Sequence, residues 1–439
     1  MINTQFTIPV TASAEAAHAL DRFALDFMGY SKTLGQYFAA ADQAPEAPLV
    51  QAYAGALHMA LEANTGLAAS RPYLARATAH APNASGPEQQ VIRAILDWSA
   101  GDHVGALCGL LRHVHEAPRD ILAAKWGQYL AFNLGRADDM LRFATLTTPH
   151  HEGLAEAHGM LAFGLEQTHQ LQAAEEEGRR ALSAKRSDAW AQHAVAHVME
   201  TQGRVDEGIA FLMAHSDTWA DRSVFMREHN WWHVALFHLD REHTGAALAV
   251  FDQHLWGEWP EFGQEQIGAV SALWRLELRG VDVGARWTAL GAKIAERGPE
   301  HVWPFHDMHY VYGLARAGED EALRELMVSL EAHALRMGPG SAWAQVAVPL
   351  ARGLSAHAQG RFCVAAEAIG PCITQLQRIG GSHAQRDVFV QTWVDAAIKT
   401  GEITAARHLL QQRLAARPNI PVTMRLLSQC LAPSAVSGG

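Results

Sequence analysis

Apolar residues recur every three to four positions along most of the chain, and short polar stops, many with glycine, interrupt the runs. That period is the mark of amphipathic helix. The strict alternation of a half-buried strand is nearly absent. Between the stops the chain is rich in Ala, Leu, Glu, Gln and Arg, all compatible with helix. The segments LDWSAGDHVGAL, LAFNLGRADDML, LEQTHQLQAAEE and METQGRVDEGIA share one shape: a helix end, a tight polar turn and a new amphipathic helix. Their turn residues, Gly101, Gly135, His169 and Gly203, lie 34 residues apart each time. Glycine suits the left-handed conformation that ends a helix. His169 in one such turn implies another geometry or some strain.

Thirty-four residues is the period of the tetratricopeptide repeat (TPR), two antiparallel helices to a unit. Further on, LDREHTGAALAVF, LARAGEDEALREL, AHAQGRFCVAAEA and IKTGEITAARHLL repeat the shape on a looser beat, with Gly318, Gly360 and Gly401 spaced 42 and 41 apart. The pattern predicts an all-α fold, a TPR-like superhelix of helical hairpins (an α-solenoid) with about eight helix pairs. No linker cuts it. The expectation is one continuous array over 1–430, regular over about 88–220, with a flexible tail at 431–439. Trp256–Gly268 and the stretch around Ser85 read as loops.

In each TPR unit the helix before the turn (A) faces the inner surface and the next (B) packs outside. Four A helices carry dense polar clusters. DAWAQHAVAHVMETQG has His193 and His197 at i, i+4, with Glu200 on the same face. MREHNWWHVALFHLD has His229 and His233 at the same spacing, with Asn230 beside them. WPFHDMHYVYGLARAG has His306 and His309, with Asp307 between. GGSHAQRDVFVQTW opens with Gln385, Arg386 and Asp387. One HxxxH pair is half a metal site, and two on neighbouring helices supply four imidazoles that can converge. Imidazole without thiolate suits zinc or another first-row divalent ion, which would activate a water as nucleophile. Glu200, Asp307 and His309 are then candidates for acid/base work or for orienting a ligand. Asn230, Trp231, Gln385, Arg386 and Asp387 are candidates for holding a substrate, Arg386 through an anionic group. Trp190, Trp231, Trp232 and Trp303 can wall a pocket or simply pack. Two other readings stay open: a hydrogen-bonded histidine network with a purely structural role, and a metal-free pocket in which a histidine is the acid or base.

Composition narrows the partners. The chain is 49% hydrophobic and 18% charged, enough apolar surface for a large core. Its net charge of −11 makes it a poor partner for nucleic acid. No run approaches the ~18 apolar residues of a membrane span. MINTQFTIPV lacks the features of a secretory signal, and Cys108, Cys363, Cys372 and Cys430 form no CxxC pair, so reduced thiols in the cytoplasm are expected. No Walker loop, GxSxG elbow or GxGxxG is present. The count that alters the picture is 25 histidines in 439 residues.

The segments DAWAQHAVAHVMETQGR, HNWWHVALFHLD, FHDMHYVYGLARAG and GGSHAQRDVFVQ, in this order, resemble the tetratricopeptide repeat protein 38 family, the StaR-like TPR proteins. The resemblance is strongest over 187–393. It implies a long all-helical intracellular protein. It also carries the family pattern onto His193, His197, Glu200, His229, Asn230, His233, Asp307, His309, Gln385, Arg386 and Asp387. His306 stands where that pattern has Asn, and His238 is peculiar to this chain. The resemblance brings no biochemical role. The inner face shows His, Trp and acidic residues in place of the Lys, Arg and Asn of peptide-clamping TPRs. The expected function is therefore binding, and hydrolysis or lyase cleavage, of a small polar molecule in a His-rich pocket. The alternative is a non-catalytic protein-interaction scaffold, and a protein partner or homo-oligomer is compatible with either.

Overall fold

The computed structural model describes residues 1–431. After α1 (Ala14–Met28) and α2 (Tyr37–Gln43), helices follow in pairs. The first five are α3 and α4 (Pro48–Met59, Asn64–His80), α5 and α6 (Gly86–Ser99, His103–Glu116), α7 and α8 (Ile121–Asn133, Ala137–Thr147), α9 and α10 (Ala155–Gln167, Leu171–Ala184), and α11 and α12 (Ala189–Thr201, Val205–Met213). The next five are α13 and α14 (Val224–Asp240, Thr244–His254), α15 and α16 (Gly263–Glu277, Arg286–Arg297), α17 and α18 (Pro304–Ala317, Asp320–Met337), α19 and α20 (Val348–Ala358, Phe362–Ile369), and α21 and α22 (His383–Thr400, Ile403–Ala416). The described part closes on α23 (Pro421–Leu431). Among the described residues there is no strand, only isolated bridges at Ile2–Val10 and Ser31–Arg222. The fold is all-α and TPR-like, of the α-solenoid class.

The turns explain the spacing. Gly101, Gly135, Gly203, Gly280, Gly318, Gly360 and Gly401 all have positive φ, as do Glu62, His169 and Glu242 at equivalent points. In nine of these ten turns the next residue's N–H reaches back five residues to a carbonyl, for example Asp102 to Asp97, Arg136 to Ala131, Gln170 to Leu165 and Arg204 to Met199, at 2.8–2.9 Å. That is the Schellman closure, which satisfies a carbonyl the helix end leaves over. His169, at φ 60°, adopts the glycine geometry and bears its strain. The glycine spacing picks out eight pairs. Two more turns, at Glu62 and Gly280, bring the described residues to ten. Within the expected loop at 256–268, residues from Gly263 on belong to α15. Ser85 is the N-cap of α5, its hydroxyl and the Glu88 carboxylate forming a capping box. The tail expected at 431–439 lies outside the described residues apart from Leu431.

The chain forms two compact units. The first comprises Met1–Val195, His215–Arg227 and Arg378–Ser382; the second comprises Ala196–Ala214, Glu228–Gln377 and His383 onward. Aromatic rings fill the first: Phe27 stacks on Trp126 at 4.3 Å, and Trp98 and Tyr129 pack against Trp126. In the second, Trp274 stacks on Tyr312 at 3.6 Å with Phe389 edge-on. Side chains of this size each contribute roughly 1.5–3 kcal/mol by burial.

The two helices of a pair are buried differently. In α17 every residue from Pro304 to Leu314 is buried, but α18 buries only Leu323, Leu326, Leu330 and Ala334. The same contrast separates α9 from α10, which buries Ala174, Gly178 and Ala181. Most A helices are covered on nearly every face, where the repeat pattern alone suggests an inner surface; α5 is the exception, with Gln89, Gln90 and Arg93 exposed. Among the described residues no helix is long and apolar enough to cross a membrane. All four cysteines are free thiols.

A pair of substitutions tests the turn geometry. A Cβ on Gly101, at φ 85°, meets open space, so Gly101→Ala isolates the backbone strain and should lower stability by about 1–2 kcal/mol. Gly268, inside α15 and also in open space, has no such need, and Gly268→Ala should raise stability by roughly 0.5–1 kcal/mol. Urea unfolding of both variants checks the opposite signs.

Candidate metal centre

Helix α11 starts on Asp188, whose Oδ1 accepts the backbone N–H groups of Trp190 and Ala191 at 3.1 and 3.0 Å. His193 and His197 stand one turn apart on α11. His229 and His233 stand one turn apart on α13. Each of the four offers a ligand nitrogen, and these atoms all lie within 4.8 Å of one another. His197 and His233 meet edge to face with ring centroids 4.6 Å apart, and His229 and His233 do so at 5.1 Å. His193, His197 and His233 are buried, and His229 keeps partial exposure at the rim.

Glu200, one turn beyond His197, fixes one ring. His233 Nδ1 donates to its Oε2 at 3.1 Å, so Nε2 is the nitrogen a metal would take. This carboxylate–imidazole arrangement is the usual support behind a metal-binding histidine. Burial raises the Glu200 carboxyl above its ordinary range, against the pull of Arg417 and His197. Burial, together with His233 and His197, pushes His229 well below the ordinary histidine value. It is therefore neutral at pH 7, the form a metal would require.

The polar and aromatic residues flanking these histidines divide by what they touch. Asn230 is fully buried, and neither Oδ1 nor Nδ2 has a hydrogen-bond partner. Buried amides are seldom left so, and an unmet amide beside a histidine cluster suits a polar ligand. Trp231 stacks flat on His254 of α14 at 3.8 Å. Its neighbour Trp232 takes the place beside the cluster, stacked on His229 at 5.4 Å. Helical geometry accounts for the exchange: Trp231 is about 200° round from His229, and Trp232 about 60°. Trp190 stacks on His193 at 4.6 Å, and Trp303 is buried at the N-cap of α17.

The remaining candidates engage other partners. Asp307 bonds His301 at 2.6 Å. His309 donates Nδ1–H to the Phe305 carbonyl at 2.9 Å and packs among Phe305, Phe389 and Trp274. Gln385 gives its backbone carbonyl to the buried Arg275 guanidinium at 3.3 Å. Arg386 lies 3.3 Å from His383 Nδ1. Asp387 is ion-paired with Arg413 and accepts from Gln391 at 2.7 Å. Burial alone would raise the Asp387 carboxyl, but Arg413 outweighs it and holds the group well below the usual carboxylate range.

One buried charge has no signal in the sequence. Lys125 of α7 donates to the Tyr30 hydroxyl at 3.0 Å, and its ammonium lies over the rings of Tyr30 and Trp190 at 4.7 and 4.4 Å. Burial brings its pKa down to about 7, against the nearby Asp188, whose own carboxyl burial raises to about 6. Read along the chain, KWGQYL is an ordinary helix segment.

No family model matches the chain. Among solved structures it is similar to one described as "Crystal Structure of P58(IPK) TPR Domain", at 11% identity over 72% of this chain and 99% of that one. The TM-score is 0.20, a likeness too slight to bear on fold or function.

The buried imidazoles carry a pH signature. Burial lowers the pKa of His309 to about 3, from 6.5 in the unfolded chain. Between those values the unfolded state takes up a proton that the folded state refuses, so this contribution falls as pH drops below 6.5. Asn at 309 can keep a donor to the Phe305 carbonyl but cannot titrate. Between pH 7 and pH 5, wild type should therefore lose about 2 kcal/mol relative to His309→Asn. Urea unfolding of both proteins at the two pH values measures the difference.

Proposed function

We propose that this chain is a cytoplasmic member of the tetratricopeptide repeat protein 38 family. In this reading His193, His197, His229 and His233 hold a first-row divalent metal ion, beside which a small polar molecule binds. The observation that carries it is the convergence of four imidazole nitrogens within 4.8 Å, supplied by two helices and supported by Glu200. Imidazole donors suit zinc, copper, iron and nickel. On zinc, four imidazoles complete the tetrahedron of a closed site. An ion that takes five or six ligands keeps positions for a bound molecule, which Asn230 can meet through its unpaired amide. A bound ion supplies Lewis acidity and a more acidic water, which supports hydrolysis as the reaction class. Glu200 sets the tautomer of His233 and supplies negative charge to a site whose four ligands are neutral. Partly exposed His229 marks the side from which a small molecule enters.

The near-complete burial of the A helices favours this reading over a peptide-docking scaffold, because few of their side chains remain for a peptide to grip. Elemental analysis of protein purified without added chelator should find one metal stoichiometrically. At 100 times its Kd that metal should add about 2.7 kcal/mol to the stability of the stripped protein. The double change His193→Ala with His229→Ala should abolish binding while the chain stays helical. Glu200→Gln should weaken affinity by about 10–100-fold. If zinc, copper, iron and nickel all leave the stripped protein's melting temperature unmoved, the metal reading is wrong. Collapse of the fold in the double variant would mark the cluster as a structural network.

A further inference from the structure

The second unit holds an arrangement that the metal centre does not use. His301 lies in the segment between α16 and α17, Asp307 in the first turn of α17, and Ser329 in the middle of α18. Asp307 Oδ2 is 2.6 Å from His301 Nδ1, and Ser329 Oγ is 2.8 Å from His301 Nε2. The Asp307 and His301 side chains are buried, while Ser329 is half-buried. With Nδ1–H donated to the carboxylate, the Nε2 lone pair faces the serine hydroxyl. That is the order of nucleophile, base and orienting acid in serine acyl-transfer enzymes.

Histidine–carboxylate pairs recur in this chain, at His113–Asp120, His158–Glu177, His233–Glu200 and His357–Asp395. A dyad alone is therefore no sign of catalysis here. At His113 and His158 the second ring nitrogen meets an amide or peptide oxygen, from Gln90 and Glu152. At His357 it lies 3.4 Å from the Tyr312 hydroxyl. His301 differs in facing an aliphatic alcohol. It also has φ 53°, a left-handed backbone that is strained in a non-glycine residue. Strain of that kind collects at functional sites. The rings of His333 and Trp343 stand 5.0 and 6.0 Å from the His301 ring and wall that side of it. Next to Ser329, Val328 is 66% exposed, and Leu335, seven residues on and on the same face as Val328, is 83% exposed.

We infer that Ser329, His301 and Asp307 form a second, metal-independent centre that hydrolyses small carboxylic esters with an apolar acyl part. Ser329 Oγ bonds to the acyl carbon as its proton passes to His301 Nε2. That proton then goes to the leaving alkoxide as the ester C–O bond breaks. A water molecule gives a proton to Nε2, attacks the acyl-serine and releases the carboxylic acid, and the proton returns to Ser329. Val328 and Leu335, about 100° and 120° round α18 from Ser329, put an apolar surface on the exposed side of that helix, for an acyl chain that extends outward. Asp307 touches no substrate and is a positioning residue.

A fluorophosphonate probe applied to the full-length chain tests this, with intact-mass and peptide analysis, alongside turnover of p-nitrophenyl butyrate. A single adduct on Ser329 is expected, absent from Ser329→Ala at unchanged melting temperature. His301→Gln should slow labelling at least 100-fold, and Asp307→Asn should slow ester turnover by about 10⁴-fold, as a misdirected tautomer does. Chelator treatment should leave both rates unchanged, which separates this centre from the metal site. An unlabelled wild-type chain, an adduct on another residue, or undiminished labelling of a folded His301→Gln chain would overturn the inference. The wild-type adduct decides the point even if a variant fails to fold.

Discussion

A helix covered on nearly every face can leave few polar side chains to water, and this constraint governs most of the A helices here. Each histidine, acid or guanidinium on them must be answered from within the protein or bear the desolvation penalty. The answers are specific. The Arg275 guanidinium donates to the carbonyls of Ala384 and Ser271, His357 meets Asp395, and Asp387 meets Arg413. Such networks tie helices together at the level of single atoms, and they also decide protonation. The desolvation that keeps His229 neutral leaves it in the form a metal would bind, and the desolvation around Lys125 brings an amine toward neutrality near pH 7.

Legibility in the sequence followed the range of the interaction. The turns are local, so Gly101, Gly135 and Gly203 announce them directly; Glu62 escapes notice because a glutamate in left-handed geometry leaves no compositional mark. The convergence of His193, His197, His229 and His233 was readable because i, i+4 spacing puts each pair on one face and the repeat puts the two helices side by side. Trp232 could have been preferred to Trp231 from helical angle alone. The partners of Asp307 and Asp387 were not readable. Arg413 lies 26 residues from Asp387, and His301 sits in a loop whose course no periodicity fixes.

Two kinds of buried polar group thus coexist. Most are closed: both ends of each bond are met, as at His158 between Glu177 and the Glu152 carbonyl. Others are open, and they differ in kind. Asn230 has an amide unmet on both atoms, whereas Ser329 holds a hydroxyl already engaged but half accessible. An unmet amide suits recognition of a ligand; an engaged hydroxyl suits proton transfer.

The Schellman closure has a consequence for how such a chain can vary. Its bond spans only five residues, so nothing in the turn prescribes how far away the next turn must be. Successive turns stand 34 residues apart in the regular stretch and 38–42 apart from Gly203 onward. Much of that surplus of 4–8 residues lies between the helices: α10 and α11 span 14 and 13 residues and α12 and α13 span 9 and 17, whereas the connection grows from 185–188 to 214–223. Growth in a connection leaves every side chain on the flanking helices at its former bearing. A unit can therefore grow, and gain positions for new chemistry, without rotating the residues it already carries away from their partners.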